Sequence, residues 1–363
     1  MNTAYPKKLV IALSGGIDSS VAAALLIDAG VEVIAVTYQI QTCNTKEIKQ
    51  KSCCETDTFA AAGRIAKQLN IPHYSLNFID DFKEKVLKQS WQEYSHARTP
   101  NPCVLCNSKI KFGKLLDFAF NIGADGIATG HHCKIIHSSS GAILKKGNDP
   151  LKDQSYFLSF LSQKQLQSSY MPIGYIDKKK VREIAYRLKF PNVSRPESQD
   201  ICFGNDNETF GETLRKLWNG KTMTGDFIDT DGKILGHHCG LHNYTIGQRK
   251  GLGISLSARA YVKEINPKTR EIVITTNPED LKCDCFKIKE INWLCKKYAD
   301  KNSFIADVQT RYRQKSVPAK ITVTSKDANT AEIHLKHPQS AITPGQAAVF
   351  YDKDIVIGGG WIE

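Results

Sequence analysis

A doubly wound α/β domain on a parallel sheet, then a small mixed domain, then a C-terminal β-barrel is the architecture this sequence predicts. Three observations predict it. Apolar strands alternate with helical stretches of about 10–15 residues over the first third of the chain, the pattern of βαβ units. After about residue 205, Gly, Asp and Thr punctuate much shorter runs. From about residue 283 onward, short β-branched segments follow one another with turn residues between them, as in a small barrel.

Taken in order, Lys-Leu-Val-Ile-Ala-Leu at 8–13 reads as a buried strand, and a polar turn with glycines follows. Ser20 to Ala29, rich in Ala and Leu, reads as a helix closed by Gly30, and Val31 to Tyr38 as a second strand. Thr56 to Leu69 is helical, Pro72 to Phe78 strand-like, and Phe82 to His96 a charged amphipathic helix. Pro100 and Pro102 predict a stiff, non-helical segment over 99–107, ahead of a helix that begins near Ser108 and runs through Phe120. Gly126 to Gly130 ends a further strand. Beyond 205, residues 233–236 and 261–265 are short strands; 304–308, 319–324, 331–335, 347–351 and 355–357 are the strands of the barrel. The expected division is 1–203, 204–275 and 276–363.

A chain of 363 residues, 41% hydrophobic, can bury more than one core. No run of about 18 apolar residues occurs, so no membrane span or membrane partner is expected. Met1 to Val10 carries Pro6, Lys7 and Lys8 and lacks the apolar stretch of a secretory signal, so the cytoplasm is the expected compartment. The odd number of cysteines, eleven, argues against a scaffold stapled only by disulfides. The net charge of +12 and a pI of about 9.1 point to a polyanionic partner. Residues 141–190 hold ten Lys or Arg against four Asp or Glu, half of the whole surplus. Such a local stripe argues for nucleic acid more strongly than a global pI.

Between the first strand and the first helix lies Ser14-Gly15-Gly16-Ile17-Asp18-Ser19-Ser20. Two glycines let the backbone approach an anion, and the following helix start offers unpaired N–H groups. Asp18 would repel phosphate unless Mg²⁺ bridges them, so ATP with Mg²⁺ is the expected ligand. The run lacks the Lys and spacing of a Walker A loop and the third glycine of a dinucleotide fingerprint. It resembles instead the signature of the ATP-pyrophosphatase (PP-loop) superfamily, which implies cleavage of ATP to AMP and pyrophosphate.

Two cysteine elements stand out. In Asn101-Pro102-Cys103-Val104-Leu105-Cys106-Asn107, a thiol near a helix start, with Lys109 and Lys111 following, is placed where thiolate is favoured. Ser-Gln-Asp-Ile-Cys-Phe at 198–203 puts Cys202 at the end of the first domain. Zinc is not expected at the Cys-x-x-Cys pair, because the remaining pair, Cys283-x-Cys285, is too tight and lies in the barrel region. No tightly bound metal is expected.

These elements, with Ala-Thr-Gly-His at 128–131, Lys-Asp-Gln-Ser-Tyr-Phe at 152–157, the glycine-rich run at 244–253, Arg311-Tyr312 and Pro344-Gly-Gln346, occur in the order found in tRNA-specific 2-thiouridylases. The chain resembles that family over nearly its whole length. The resemblance implies adenylation of the C2 oxygen of the wobble uridine of tRNA, then sulfur delivery from a persulfide on Cys202, with Cys106 as the resolving thiol and disulfide partner. It implies ATP binding by Ala12, Leu13, Ser14, Gly15, Gly16, Ile17, Asp18 and Ser19, with Thr37 and Gly130. It implies tRNA contacts at Asn101, Pro102, Cys103, His131, Lys152, Asp153, Gln154, Arg311, Tyr312 and Gln346. A persulfide sulfur-donor protein is the implied partner, and a monomer is expected. Several family members carry Asp, assigned a role near the target base, where this chain has Cys103. Two other readings stay open: an iron–sulfur tRNA thiolase using Cys103, Cys106 and Cys202, and a non-catalytic tRNA-binding protein. Tyr312 and His131 are expected to stack on unpaired bases, and Lys152 and Arg311 to meet phosphates.

Overall fold

The structure is a computed structural model and describes residues 5–41, 55–193, 203, 208–256 and 258–363. Cys202 and most of the 198–203 element lie outside the described residues. The chain forms two compact units: the described residues of 1–85, 103–202 and 354–356, and those of 86–102, 203–353 and 357–363.

The first unit is built on five parallel strands, β1 (Lys8–Ala12), β2 (Glu32–Gln39), β3 (His73–Asn77), β4 (Gly126–Ala128) and β7 (Ser169–Tyr170), in the order β3-β2-β1-β4-β7. The central strand β1 pairs on both sides, Val10 opposite Ile34 and Ile127. Leu9, Val10 and Ile11 are all fully buried, which is why the strand reads as an unbroken apolar run. Helix α1 (Ile17–Asp28) lays Val21, Ala22 and Leu26 into a core shared with Ile65, Val181, Ile184 and Phe190. Strand order reverses at β1, so the loop after β1 lies at the switch point where open α/β sheets bind ligands. An antiparallel hairpin, β5 (Cys133–Ser138) and β6 (Gly141–Lys146), adds to this unit, with Ile355 paired to Lys145.

Two expectations need correction. The first helix starts at Ile17, three residues before Ser20, so Asp18 and Ser19 belong to its first turn. The 99–107 segment is not wholly non-helical: Pro102–Cys106 is α-helical and continues through a π-helical stretch, Asn107–Lys114, into Leu115–Asn121. Proline at the first helical position gives up an N–H that has no partner anyway, and its φ suits the turn. Pro102 therefore starts the helix, and Cys103 and Cys106 share one face of it, three residues apart.

The second unit holds two separate cores. Phe227, Leu241, Val262, Ile272 and Ile274 fill one, under a four-stranded sheet of order β10-β11-β8-β9: β8 (Gly225–Ile228), β9 (Ile234–His238), β10 (Tyr261–Asn266) and β11 (Glu271–Thr275). The other lies within β12 (Lys282–Trp293), β13 (Ser303–Gln309), β14 (Val317–Ser325), β15 (Thr330–Ser340), β16 (Ala347–Asp352) and β17 (Ile355–Ile362). These follow the order β12-β15-β14-β13-β16-β17, and β12 pairs back onto β17, which closes a barrel. Inward Phe286, Ile288, Ile321 and Ile333 alternate with outward, mostly polar residues, the period-two pattern that made these strands legible, whereas β16 is buried throughout Ala347–Tyr351. No helix among the described residues is long and apolar enough to cross a membrane.

Helix Phe210–Leu217 is capped by Thr209, whose Oγ1 accepts from Glu212 N at 3.1 Å. Glu212 in turn accepts from Arg215 Nη2 at 2.7 Å and Nε at 2.9 Å, and lies 2.8 Å from Nε2 of fully buried His242. The Arg215 hydrogen bonds, opposed by burial and aided by His242, bring its carboxyl from 4.5 to about 2. Because the folded value is depressed, this contribution is complete above about pH 4.5 and is lost as pH falls towards 2. Urea unfolding of wild type and Glu212→Gln should show a stability gap that is constant near neutrality and closes across that window.

Candidate active site

The loop after β1 is held open by its own short polar side chains. Ser14 N donates to Ser19 Oγ at 3.2 Å, while the Ser19 and Ser20 hydroxyls donate to Gly16 O at 3.1 and 2.9 Å. The first N–H groups of α1 have no acceptor four residues earlier within the helix, which makes this end an anion seat. Gly15 sits at φ +68°, where a side chain would also meet Ala61 Cβ and Thr58 O, each at 3.0 Å. Gly130 backs directly onto the loop: a Cβ there would lie 2.6 Å from Ser19 N and 2.7 Å from the Asp18 carbonyl carbon. Thr37 Oγ1 donates to Leu13 O at 2.7 Å and lies 2.8 Å from His73 Nε2. Thr37 and Gly130 are thus brought to the loop, as supports of its backbone.

Asp18 is not an isolated carboxylate. Lys178 Nζ donates to both of its oxygens at 2.7 Å, and His132 Nε2 lies 3.2 Å from Oδ1. The Lys178 side chain is only 7% exposed and that of Asp18 31%. Burial pushes the Asp18 carboxyl up, but the His132 hydrogen bond and the Lys178 charge outweigh it, and the net direction is down. Asn192 Nδ2 donates to Gly15 O at 2.7 Å, closing the other side of the loop.

Several residues read as tRNA contacts point inward instead. His131 is packed against Phe112, ring centroids 5.6 Å apart, with Nδ1 2.6 Å from Thr129 Oγ1. Burial, with Lys111 and His132 adding to it, holds its pKa well below the usual range, so the ring is neutral. Stacking of His131 on an outside base is therefore not offered by this conformation. Asp153 accepts from Gly147 N, Ser155 N and Ser155 Oγ, and burial raises its pKa. It ties down a turn. Gln154 exchanges hydrogen bonds of 3.0 Å with the backbone of His132, which sets that ring on Asp18. Lys152 is half-buried and lines an open pocket of about 590 Å³ with Lys178, Lys179, Arg182, Glu183 and Tyr186. Cys103 and Cys106 are both half-buried thiols.

In the second unit, Asn101 and Gln346 meet, Nδ2 to Oε1 at 3.3 Å. Gln346 Nε2 also donates to the carbonyls of Thr99 and Pro100 at 3.1 and 2.8 Å. Gly345, at φ +89°, permits this, since a Cβ there would lie 2.6 Å from Thr99 O. Arg311 is exposed on the turn after β13, and Tyr312 beside it lies under the Arg313 guanidinium, 5.4 Å from ring centroid to Cζ.

Sequence reasoning missed Lys178, His132, Asn192 and His73. One signal was available for Lys178. It opens the helix Lys178–Arg187, where three consecutive lysines oppose the helix dipole and the N-cap acid Asp177 offsets one of them, so a further acid was to be expected.

Family models match most of the chain in three blocks: one described as the tRNA methyl transferase HUP domain over residues 7–206, one as the tRNA methyl transferase PRC-barrel domain over 213–276, and one as the Aminomethyltransferase beta-barrel domain over 283–362. The chain is 42% identical over 360 residues to the tRNA-specific 2-thiouridylase MnmA of Lachnoclostridium phytofermentans, covering 98% of this chain and 99% of that one. It is 41% identical to the protein of that name in Clostridium perfringens, covering 98% of each chain. It is 42% identical to the one in Geotalea uraniireducens, covering 98% and 95%.

Proposed function

The chain belongs to the tRNA-specific 2-thiouridylase family, and on that premise we propose that it is a tRNA-uridine 2-sulfurtransferase that adenylates the wobble uridine with ATP. The observation that carries the ATP half is the loop at 14–20, an anion seat with Asp18 locked to a buried lysine. The C2 oxygen of uridine attacks the α-phosphate and pyrophosphate leaves. A urea-like carbonyl is a poor electrophile, and adenylation converts its oxygen into a leaving group. The terminal sulfur of a Cys202 persulfide then attacks C2 and AMP departs with the oxygen. Attack of the Cys106 thiolate on Cys202 Sγ forms a Cys106–Cys202 disulfide and releases the thiolated base. A donor protein reloads Cys202 once the disulfide is reduced. Cys103, on the same helix face as Cys106, stands where several members of the family carry Asp.

Mg²⁺ was expected at Asp18, but the carboxylate already gives both oxygens to Lys178. Each oxygen keeps a second lone pair and the side chain is partly exposed, so Asp18 would hold Mg²⁺ only by sharing its charge with Lys178. Asp18 and His132 act by fixing the Lys178 ammonium beside the loop, where it faces the departing pyrophosphate. Two of the matching models are described in terms of methyl transfer. An anion loop of this type and a helix carrying two thiols, both in the first unit, favour sulfur chemistry.

Nucleoside mass spectrometry of tRNA treated with enzyme, ATP and a sulfide source tests the proposal, and 2-thiouridine at the wobble position is the expected product. Iron in anaerobically purified protein would favour the cluster-dependent route, and absence of tRNA-dependent pyrophosphate release would favour mere binding. Arg311, Tyr312, Asn101, Pro102, Gln346 and Lys152 are the proposed tRNA contacts. Arg311→Ala should lower the slope of log affinity against log salt by about one unit, the share of one phosphate. An unchanged slope would place Arg311 off the tRNA.

A further inference from the structure

The outside of the barrel carries a group of donor atoms for which the thiolation chemistry has no use. Cys285 on β12 and Glu332 and His334 on β15 bring a sulfur, a carboxylate oxygen and an imidazole nitrogen within 4.8 Å of one another. Cys285 Sγ lies 3.8 Å from both Glu332 Oε1 and His334 Nε2, and His334 Nε2 lies 3.2 Å from Glu332 Oε2.

The strand ladder produces this grouping. Cys285 pairs with His334 and Lys287 with Glu332. Phe286, Ile288, Ile333 and Leu335 point into the core, so the alternating positions 285, 332 and 334 project together on the outer face. The next pair is Cys283 with Gln339, so that Asp284 alone faces residues 335–338. Cys285 and His334 are thus the last pair before the ladder breaks, and that is where two strands gain most from a cross-link. Cys283 turns back into the same bend, its Sγ donating to Cys285 O at 2.9 Å.

The donor set and its spacing both select a metal class. Thiolate, imidazole and carboxylate together suit a borderline-soft divalent ion. Bond lengths of about 2.3 Å to sulfur and about 2.0–2.1 Å to nitrogen or oxygen imply tetrahedral edges of roughly 3.3–3.6 Å. The Sγ–Nε2 and Sγ–Oε1 separations of 3.8 Å exceed those edges by a few tenths of an ångström, and the other carboxylate oxygen, Oε2, stands 3.2 Å from Nε2, so a rotation of the Glu332 carboxylate is all that one shared oxygen requires. The Cys-x-Cys spacing alone argues against zinc, and only the facing strand supplies the missing ligands. Lys287 and Lys320, paired with Glu332 and His334, flank the group and keep such a site weaker than an enclosed one.

We propose that Cys285, Glu332 and His334 form a zinc-class metal site that pins β12 to β15 beside the break in their ladder. The fourth position falls to water or to Cys283.

Cobalt and zinc titrations of the reduced, metal-stripped full chain test this. Wild type should show a sulfur-to-cobalt charge-transfer band with tetrahedral d–d bands, bleached by about one equivalent of zinc per chain. Cys285→Ser should lose that band. His334→Ala, which keeps every cysteine, should bind at least about tenfold more weakly, the cost of altering even an outer partner of a ligand. Zinc should raise the melting temperature of wild type and of neither variant. Identical titrations for wild type, Cys285→Ser and His334→Ala would overturn the proposal, because any cobalt–thiolate band would then belong to other cysteines. Because His334 is half-exposed, its replacement is compatible with folding, and circular dichroism checks this.

Discussion

Lys178→Met should lower tRNA-dependent pyrophosphate release by about 10²–10³-fold, the usual cost of deleting one preorganised charge from a site where negative charge develops. Lys178 is buried and spends its ammonium on Asp18. It therefore neutralises no tRNA phosphate, and the salt dependence of tRNA binding should stay at the wild-type slope. Removing one partner of a buried pair also strands the other, at about 3–5 kcal/mol where burial is complete, and at less here because Asp18 is partly exposed. The double variant Asp18→Asn/Lys178→Met separates the two effects. It should regain most of the lost stability and none of the lost rate. Wild-type release in the double variant would show that the pair only holds the fold together.

Cys202→Ser should abolish 2-thiouridine formation while ATP- and tRNA-dependent pyrophosphate release continues, because a hydroxyl cannot carry a sulfane sulfur. Cys106→Ser should accept sulfur on Cys202 and fail to resolve it. Loaded without tRNA, it should keep one extra sulfur, visible in the mass of the intact protein. Cys103→Ser should retain most activity, and Cys103→Asp, which restores the acid of relatives, should be tolerated. The helix from Pro102 puts Cys103 and Cys106 on one face, one turn apart, so the two variants distinguish which thiol does the resolving. An inactive Cys103→Ser beside an active Cys106→Ser would exchange the two roles.

The strands were legible because their signal is local. β-branched runs of period two mark the barrel, and the unbroken apolar stretch at 8–13 marks a strand buried on both faces. The PP-loop was legible for the same reason, since glycines and serines at fixed spacing carry its geometry. What failed to show was whatever depends on distant partners. Lys178 counts as one more charge in a basic stripe until folding brings it to Asp18, 160 positions away. Asp153 and Gln154 read as surface contacts because the groups that donate to them, the backbone N–H groups of 147, 155 and 132, are invisible in a motif. Pro102 was read as a helix breaker, although at the first helical position it is a helix starter. The Cys285 group needed the strand register, including its break, before any donor but sulfur could be counted.

The first unit borrows residues 354–356, where Ile355 pairs with Lys145 and Asp354 O accepts from Lys146 N at 2.8 Å. A stretch more than 200 positions further along the chain thus lies against the open side of β6, whose other side is taken by β5. A fragment cut to end before residue 354 would leave that side of the hairpin bare, an unpaired strand edge of the kind that recruits other chains. The two units therefore cannot be separated by a single cut in the sequence without exposing such an edge.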